Sequence, residues 1–409
     1  MENMENTTLQ TPKAEKKPGK LRGFFKVLGR IALVLLETVL LVVIALYGVM
    51  YVVAKGPSPT ARDLFVMSVR ETSAVGFLAN LYFTDEQIAA IENKGQVEEY
   101  VETDTSLIVM PTVPDEKDPQ EGPQPDAWGL VDEDGDGIIV EPVKGEGYSG
   151  YMMVVLDPSR VIMGCRPGSF GGRGYTVEQM VHKFGAVAGI NAGGFEDLNG
   201  AGNGETPDSL VVFEGQVYYA SSGLRDGFVG IDSNNILHVG KLSVAEIQKR
   251  DIQYGVCFGP VLISNGEPTT QGMQASGVNP RTAIGQRSDG AMLLLVIDGR
   301  QLVSLGATFK DLTEVFLSYG AVNASNLDGG SSTLMWYQGG YINNCASVIG
   351  IRPVPTTFLV LPQEGGDDNG LKDEKEKLRL SDLYRCVRAA VFGRYLCGIA
   401  VPVGLYGCL

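Results

Sequence analysis

The sequence is poor in the residues from which most protein metal centres are built. It has only two histidines, and none of its six cysteines lies in a C-x-x-C pair. Structural zinc sites and histidine-rich catalytic centres need clusters of these residues, so neither is expected. If the body of the protein is extracellular, Cys165, Cys257 and Cys345 could pair or stay buried, and their spacing leaves both alternatives open.

Positive charge is also scarce. The formal net charge is −15, and because residues 1–30 carry +4, the remainder carries −19. An acidic body disfavours non-specific binding to nucleic acid, and no basic, aromatic-rich patch interrupts it. The glycine-rich stretch 200–204 lacks the G-x-G-x-x-G spacing of a dinucleotide-binding loop, and no helical pattern follows it. Neither a nucleic-acid partner nor a dinucleotide cofactor is therefore predicted.

A long apolar run stands out at residues 31–54, with Glu37 as its only charged residue. Twenty-four helical residues reach about 36 Å, which is enough to span a hydrocarbon core of about 30 Å. The basic flank precedes this run, so the positive-inside rule predicts a cytoplasmic segment 1–30 and an extracellular body on the cell membrane. A cleaved signal peptide is the alternative, although the run is longer than a usual signal core.

The next two regions read as a spacer. Residues 55–110 carry two helical patterns and predict a helical stalk, one helix N-capped by Thr60 and another opening at Asp85 and ending near Gly95. Residues 111–147 predict a linker rich in proline and acidic residues. The catalytic body is expected over residues 148–362, and residues 363–409 form a linker and an apolar tail, either interfacial, unstructured or a second span.

One part of the linker has metal-binding spacing. Asp132, Asp134 and Asp136 match the first half of a calcium loop, D-x-D-x-D-G. The twelfth position is Val143, so the usual bidentate glutamate is missing. The loop is a candidate Ca²⁺ site, with a solvated acidic turn as the alternative, and no other cofactor follows from the sequence.

The body alternates short strands with a few helices. A helix is predicted from Thr176 to Phe184, closed by Gly185, and another from Thr308 to Tyr319, closed by Gly320. Hairpin signals occur at 209–219 and 259–267. These patterns predict an α+β fold with a mixed, largely antiparallel sheet and packed helices.

Polar and glycine-rich motifs follow several of these strands in a fixed order. They are N-A-G-G-F at 191–195, G-P-V-L at 259–262, N-P-R-T-A at 279–283, V-I-D-G-R at 296–300, N-L-D-G-G-S-S at 326–332 and R-P-V-P at 352–355. Each motif alone is weak, but six in this order resemble the phosphodiester glycosidase domain family. The resemblance covers about residues 148–362 and implies hydrolysis of a sugar-1-phosphodiester at its glycosidic bond.

The resemblance also implies site residues. An arginine fork suits a phosphodiester, and a carboxylate is needed to stabilise the oxocarbenium-like centre, attack it or activate water. The catalytic candidates are Asp328, then Asp298, together with Arg281. The candidates for substrate binding are Asn191, Gly193, Gly194, Thr282, Gly329, Gly330, Ser331 and Arg352. The backbone N–H groups of residues 329–331 are expected to cradle phosphate or sugar oxygens.

The sequence thus predicts a membrane-anchored glycosidase acting on envelope glycans or exopolysaccharide. The rival is a glycan-binding or polymer-assembly protein that keeps the fold without turnover. The presence of Arg281, Asp298 and Asp328 together favours the enzyme, because a binding protein has no chemical need for all three.

Overall fold

A computed structural model describes residues 20–72, 75–92, 102–110, 123–166, 170–197, 202–221, 227–269, 276–347 and 350–363. Residues 1–19, residues 111–122 of the predicted linker, the predicted end of the second stalk helix and residues 364–409 lie outside these ranges. The chain divides into two compact units, Met1–Phe65 and Val66–Leu409.

The first unit is dominated by helix α1, Lys20–Lys55. Within the described part of the chain, its segment Gly23–Lys55 is the one helix long and apolar enough to cross a membrane, and nearly all of its residues are exposed. A signal sequence would have the same properties. The predicted apolar run 31–54 falls inside this helix, whereas its orientation in a membrane stays a prediction.

The predicted stalk contains three short helices: α2 (Pro59–Arg70), α3 (Phe77–Asn80) and α4 (Asp85–Glu92). The predicted N-cap at Thr60 is wrong, because Thr60 lies inside α2. The hydroxyl of Ser58 accepts the N–H of Ala61 at 3.2 Å instead, which places the cap two residues earlier.

Strands are numbered in chain order and form three sheets. The largest has the spatial order β1 (Ile138–Gly145), β2 (Tyr148–Val155), β13 (Met292–Ile297), β12 (Arg281–Arg287), β14 (Ala321–Leu327), β10 (Val261–Ser264) and β11 (Glu267–Pro268). The second has the order β16 (Gly340–Tyr341), β15 (Met335–Tyr337), β4 (Ala188–Asn191), β17 (Thr356–Val360) and β3 (Val161–Cys165). The third has the order β6 (Gln216–Tyr219), β5 (Val211–Phe213), β9 (Ile252–Cys257), β7 (Phe228–Asp232) and β8 (Leu237–Gly240).

All strand pairs in these three sheets are antiparallel. With the helices α5 (Val177–Phe184), α6 (Val244–Lys249) and α7 (Phe309–Ser318), they confirm the predicted α+β class. The predicted C-cap of α5 is also confirmed, because Gly185 takes φ 63°. At the other end of this helix, the Thr176 hydroxyl accepts the N–H of Gln179 as an N-cap. Thr308 caps α7 in the same way, and Gly320 follows with φ 77°.

The core lies on both faces of the large sheet. On one face, Leu294 and Val296 of β13 pack in a cluster that includes Ile190 of the second sheet and Val229 of the third. On the other face, Leu293 and Leu295 pack with residues of α7. This double burial explains why β13 is an unbroken apolar run rather than an alternating strand.

Candidate functional site

The predicted site residues meet at one edge of the large sheet. Strands β13 and β14 both run antiparallel to β12, so they end where β12 begins: Ile297 pairs with Arg281, and Leu327 pairs with Thr282. Asp298 directly follows β13 and Asp328 directly follows β14. The order of the strands therefore brings together two motifs that are 30 residues apart in sequence.

Asn191 joins this edge to the end of strand β4 in the second sheet. Its Nδ2 donates to the carbonyl of Asp328 at 2.5 Å, and its Oδ1 accepts from the Thr282 hydroxyl at 2.8 Å and from the Leu334 N–H at 3.1 Å. Asn191 and Thr282 are both 0% exposed. The two residues hold the turn after β14 in place, and their polar atoms face the protein rather than a ligand.

The turn after β14 contains the predicted anion cradle. Gly330 has φ 61°, which favours glycine, and a Cβ on Gly329 would lie 2.8 Å from the Pro280 carbonyl. The N–H of Gly330 donates to that same carbonyl at 2.8 Å. The predicted cradle of three backbone N–H groups is therefore wrong for Gly330, whose donor is already used.

Arg352 lies behind this turn. Its Nη1 donates to the Ser331 hydroxyl at 2.6 Å, and its Nη2 contacts the Asp197 carboxylate at 2.7 Å and donates to the Gly202 carbonyl at 3.0 Å. The Arg352 side chain is 4% exposed. Arg352 thus connects Asp197 and Gly202 to the turn after β14, and it orients the Ser331 hydroxyl.

Arg281 also points into the protein. Its Nη2 contacts the carboxylate of Glu71 at 2.6 Å and donates to the Gly277 carbonyl at 2.6 Å, while its Nε donates to the Ala307 carbonyl at 3.1 Å. Its guanidinium also lies 4.3 Å from the ring centre of Phe309. Because Nε and Nη2 are already bonded to groups of the protein, Arg281 supports the site from the protein interior and is not placed as a phosphate ligand.

Glu71 comes from the stalk segment and was not anticipated from the sequence. Besides Arg281, its carboxylate accepts from the Gly277 N–H at 2.9 Å and from Asn279 Nδ2 at 3.0 Å. It therefore fixes the stretch 277–281, and Pro280 in that stretch holds the glycine turn. The signal for this contact is absent from local sequence because the two partners are 210 residues apart.

Arg300 is the arginine that faces the turn. A Cβ on Gly330 would lie 3.3 Å from its Nη2, so the guanidinium packs against the glycine. The same Nη2 donates to the Thr72 hydroxyl at 2.9 Å. Arg300 is exposed at the protein surface. Its guanidinium is nevertheless partly desolvated by the atoms around it, and this desolvation, followed by the charge of Arg281, lowers the pKa of Arg300 from the ordinary value. It remains charged at neutral pH.

Asp298 is held by amide groups. Its Oδ1 accepts from Asn343 Nδ2 at 3.2 Å and from the Asn344 N–H at 2.9 Å, and its Oδ2 accepts from Asn344 Nδ2 at 3.0 Å. Asn343 also donates to the Thr333 carbonyl at 3.1 Å. These asparagines were missed in the sequence, and the carboxylate they surround is 5% exposed.

The glycines of the N-A-G-G-F motif serve close packing. A Cβ on Gly193 would lie 3.0 Å from Val256, and one on Gly194 would lie 2.6 Å from the Asp208 carboxylate. The N–H of Gly193 donates to the Thr356 hydroxyl at 3.0 Å. The space beside both residues is filled by protein.

Apart from Gly193 and Gly194, the predicted residues divide into two sets, and Arg300, which was not predicted, joins the second. The buried frame consists of residues that are at most 5% exposed: Asn191, Arg281, Thr282, Asp298 and Arg352. The open rim consists of residues that reach the surface: Arg300, Asp328, Gly329, Gly330 and Ser331.

The acidic loop lies at the other edge of the large sheet. Gly150 of β2 pairs with Ile297 near the rim, whereas Val155 at the far end of β2 pairs with Ile138, which follows the loop. Carboxylate oxygens of the predicted calcium ligands all lie within 4.8 Å of one another: Asp132, Asp134 and Asp136. The arrangement suits a cation, and the calcium site stays a prediction.

The two histidines take no part in the rim. His182 on α5 packs edge-on against Trp336, with ring centres 5.7 Å apart. His238 is 3% exposed and its Nε2 lies 3.0 Å from the Asp232 carboxylate. Among the cysteines, Cys165 is a buried free thiol, and burial followed by the charge of Glu214 raises its pKa to about 12.

Comparison with known proteins agrees with the resemblance drawn from the motifs. Residues 184–361 match the family model for phosphodiester glycosidases. A prophage-derived uncharacterized protein of Bacillus subtilis, YomE, is 33% identical over 202 residues, which are 47% of this chain and 30% of that protein. The N-acetylglucosamine-1-phosphodiester alpha-N-acetylglucosaminidase of mouse is 29% identical over 216 residues, which are 47% of this chain and 41% of the mouse protein. The chain thus spans less than half the length of these relatives.

A similar solved structure is the catalytic domain of the zebrafish N-acetylglucosamine-1-phosphodiester alpha-N-acetylglucosaminidase, auto-inhibited by its pro-peptide. The TM-score is 0.46 at 20% identity, and the match covers 55% of this chain and 82% of the zebrafish chain. The stalk residue Glu71 lies outside the matched range of the family. Over residues 184–361, the protein is similar to the phosphodiester glycosidase family.

Proposed function

We propose that the body of this protein hydrolyses the glycosidic bond of sugar-1-phosphodiesters in envelope glycans or exopolysaccharide, on the outer side of the cell membrane. The family match supports a hydrolase-like activity on phosphodiester glycans. The location follows from the apolar helix α1 and the basic residues before the apolar run.

The observation that carries the proposal is the composition of the open rim. Asp328, a half-buried residue whose Oδ2 is buried, lies beside a turn of two glycines and Ser331, and the Arg300 guanidinium packs against Gly330. A carboxylate and a cation at one surface edge match the two needs of the reaction. The cation binds the phosphodiester, and the carboxylate serves the anomeric carbon.

In the proposed reaction, the bond between the anomeric carbon and the phosphate oxygen breaks. Water supplies the new hydroxyl on the sugar, and the other product is a phosphate monoester. This leaving group is stable as an anion, so it needs less help from a general acid than an ordinary alcohol. Asp328 stabilises the oxocarbenium-like centre, attacks it, or takes the proton from water. Arg300, with the Ser331 hydroxyl that Arg352 orients, holds the phosphate oxygens.

Asp298 and Arg281 receive supporting roles in this proposal. The carboxylate of Asp298 accepts three hydrogen bonds from asparagines, and Arg281 is tied to Glu71 and two carbonyls. Both shape the turn that carries Asp328 without having to touch the substrate. The sequence predicted Arg281 as a phosphate ligand, whereas this proposal gives that role to Arg300.

The test is release of free sugar from a chromogenic sugar-1-phosphodiester or a UDP-sugar by the full-length protein. We expect turnover in the parent protein and a loss of about 10²–10⁴-fold in Asp328→Asn. Asp157→Asn is the control, because Asp157 is an exposed carboxylate that lies outside the site. Retained turnover in a folded Asp328→Asn protein would exclude Asp328 as the catalytic carboxylate. Glycan binding without turnover in the parent would instead favour the non-catalytic alternative.

A further inference from the structure

The loop that carries Arg300 ends in an unusually apolar surface. Leu302 is 103% exposed, Val303 is 81% exposed and Leu305 is 61% exposed. These three residues are named the apolar tip. Tight turns at a protein surface normally carry glycine, asparagine or other polar residues, and clustered exposed apolar side chains mark a contact surface.

The base of the apolar tip is rigid. Gln301 and Ser304 exchange two backbone hydrogen bonds of 3.0 and 3.2 Å, which leaves Leu302 and Val303 as the two residues of the turn. The buried Ser304 hydroxyl donates to the Asp298 carbonyl at 2.7 Å and accepts from the Ser149 N–H at 3.0 Å. The exposed leucine and valine are thus held outward by a fixed hairpin anchored beside the candidate site.

We propose that the apolar tip inserts into the surface of the lipid bilayer to which the protein is attached. The inference rests on the proposed membrane attachment, and its first support is the short tether. Arg300, at the base of the tip, is bonded to Thr72, and Thr72 follows the last residue of α1, Lys55, by 17 residues. Because 12 of these residues form α2 at about 1.5 Å per residue and the other five span at most about 3.5 Å each, the chain reaches about 35 Å.

Charge is the second support. Arg300 is the only charged residue between Asp298 and Lys310, so the tip approaches anionic headgroups with a cation and three apolar side chains. This combination suits the boundary between headgroups and acyl chains. A second copy of the chain is the competing occupant, and the dependence on protein concentration measured below separates it from the lipid surface.

The stalk supplies a third observation. Phe77 and Leu81 follow Thr72 closely in sequence and are 63% and 52% exposed. Exposed apolar side chains therefore occur in both chain segments that contribute to the Arg300–Thr72 hydrogen bond. With the tip in the lipid surface, the open rim would face membrane-borne phosphodiesters directly.

The experiment uses the full-length protein reconstituted in vesicles of phosphatidylcholine and phosphatidylglycerol, with part of the phosphatidylcholine brominated on its acyl chains. Leu302→Trp places a fluorophore at the tip, where full exposure means that the larger ring meets no packed atoms. Val244→Trp, at the 38% exposed start of α6, is the control. The parent protein gives the background of Trp128 and Trp336.

We expect the added emission of Leu302→Trp to shift to the blue and to be quenched by bromine at least about twofold more than that of Val244→Trp. Equal quenching of the two variants overturns the proposal. A blue shift that depends on protein concentration, without bromine quenching, also overturns it and assigns the tip to a second copy. Neither readout requires turnover, so failure here is distinct from failure of the proposed reaction.

Discussion

The buried frame and the open rim belong to the same sequence motifs but satisfy their polar groups in opposite ways. In the frame, the Asp298 carboxylate and the Arg281 guanidinium are surrounded by protein donors and acceptors. In the rim, Arg300 reaches the surface and lies against glycine. If the proposed function holds, one motif contributes Asp298 to stability and its neighbour Arg300 to ligand binding.

The largest effect on stability is expected for Asp298→Asn. The new amide nitrogen would face donors where a carboxylate oxygen now accepts, and a donor of the buried Asn343 or of the exposed Asn344 would lose its partner. We expect the free energy of unfolding to fall by about 3 kcal/mol. Denaturant titration of the full chain measures this loss.

Asp157→Asn is the control for that substitution, since Asp157 is an exposed cap that asparagine can replace. If Asp298→Asn unfolds at the same denaturant concentration as the parent while turnover is lost, Asp298 belongs to the chemistry and the frame is misassigned.

A smaller loss is expected for Glu71→Gln. This change removes the negative charge beside Arg281, whose side chain is 7% exposed, while Glu71 itself is 22% exposed. Breaking a buried pair is costly, and the partial exposure of Glu71 reduces the cost, so we expect about 2 kcal/mol. The measurement is the same denaturant titration.

Glu92→Gln is the matched control, because Glu92 pairs with Arg70 in the same stalk segment at 32% and 42% exposure. Its loss should stay below about 0.5 kcal/mol. Equal losses in the two variants would mean that Glu71 is an ordinary surface partner and does not support the site.

Arg300→Gln tests the open rim, where we expect ligand binding to change rather than stability. Removing this cation should weaken binding of a sugar-1-phosphodiester about tenfold, or about 1.4 kcal/mol, because a charge-assisted hydrogen bond is lost. Stability should change little, since the side chain is exposed. Calorimetric titration of the substrate into Asp328→Asn protein, with and without Arg300→Gln, measures the effect.

Lys310→Gln provides the comparison, because Lys310 is an exposed cation paired with Glu314 on α7. An unchanged dissociation constant in Arg300→Gln would return the phosphate to Arg281 or Arg352, as the sequence motifs alone suggested.

Local patterns predicted much of the fold. The helix starts near Thr176 and Thr308, the glycines after both helices and the hairpin at 259–267 all depend on neighbours in sequence, and the structure contains each of them. The antiparallel class followed from short strands joined by tight turns. The N-cap of α2 was misplaced because Ser58 and Thr60 are both good caps two residues apart.

The candidate site was predicted as a set of residues but not as an arrangement. The strand-end positions of Asp298 and Asp328 could be read from apolar runs that stop at them. The roles of Arg281 and Asp298 could not, because their partners Glu71 and Asn344 lie 210 and 46 residues away. Whether an arginine meets a ligand or a carboxylate of its own chain is decided by such distant contacts.

The acidic loop extends the comparison to the opposite edge of the sheet, and calcium should have the smallest effect. With Val143 in place of the bidentate ligand, affinity should be low. At a Ca²⁺ concentration of about three times the dissociation constant, stabilisation would be about 0.8 kcal/mol. We expect Ca²⁺ to raise the melting temperature of the parent slightly, and not that of Asp134→Ala.

Because the loop lies away from Asp328, Ca²⁺ should leave turnover at low temperature unchanged. A calcium-dependent turnover that survives Asp134→Ala would place the ion at the rim and contradict the separation of the two edges.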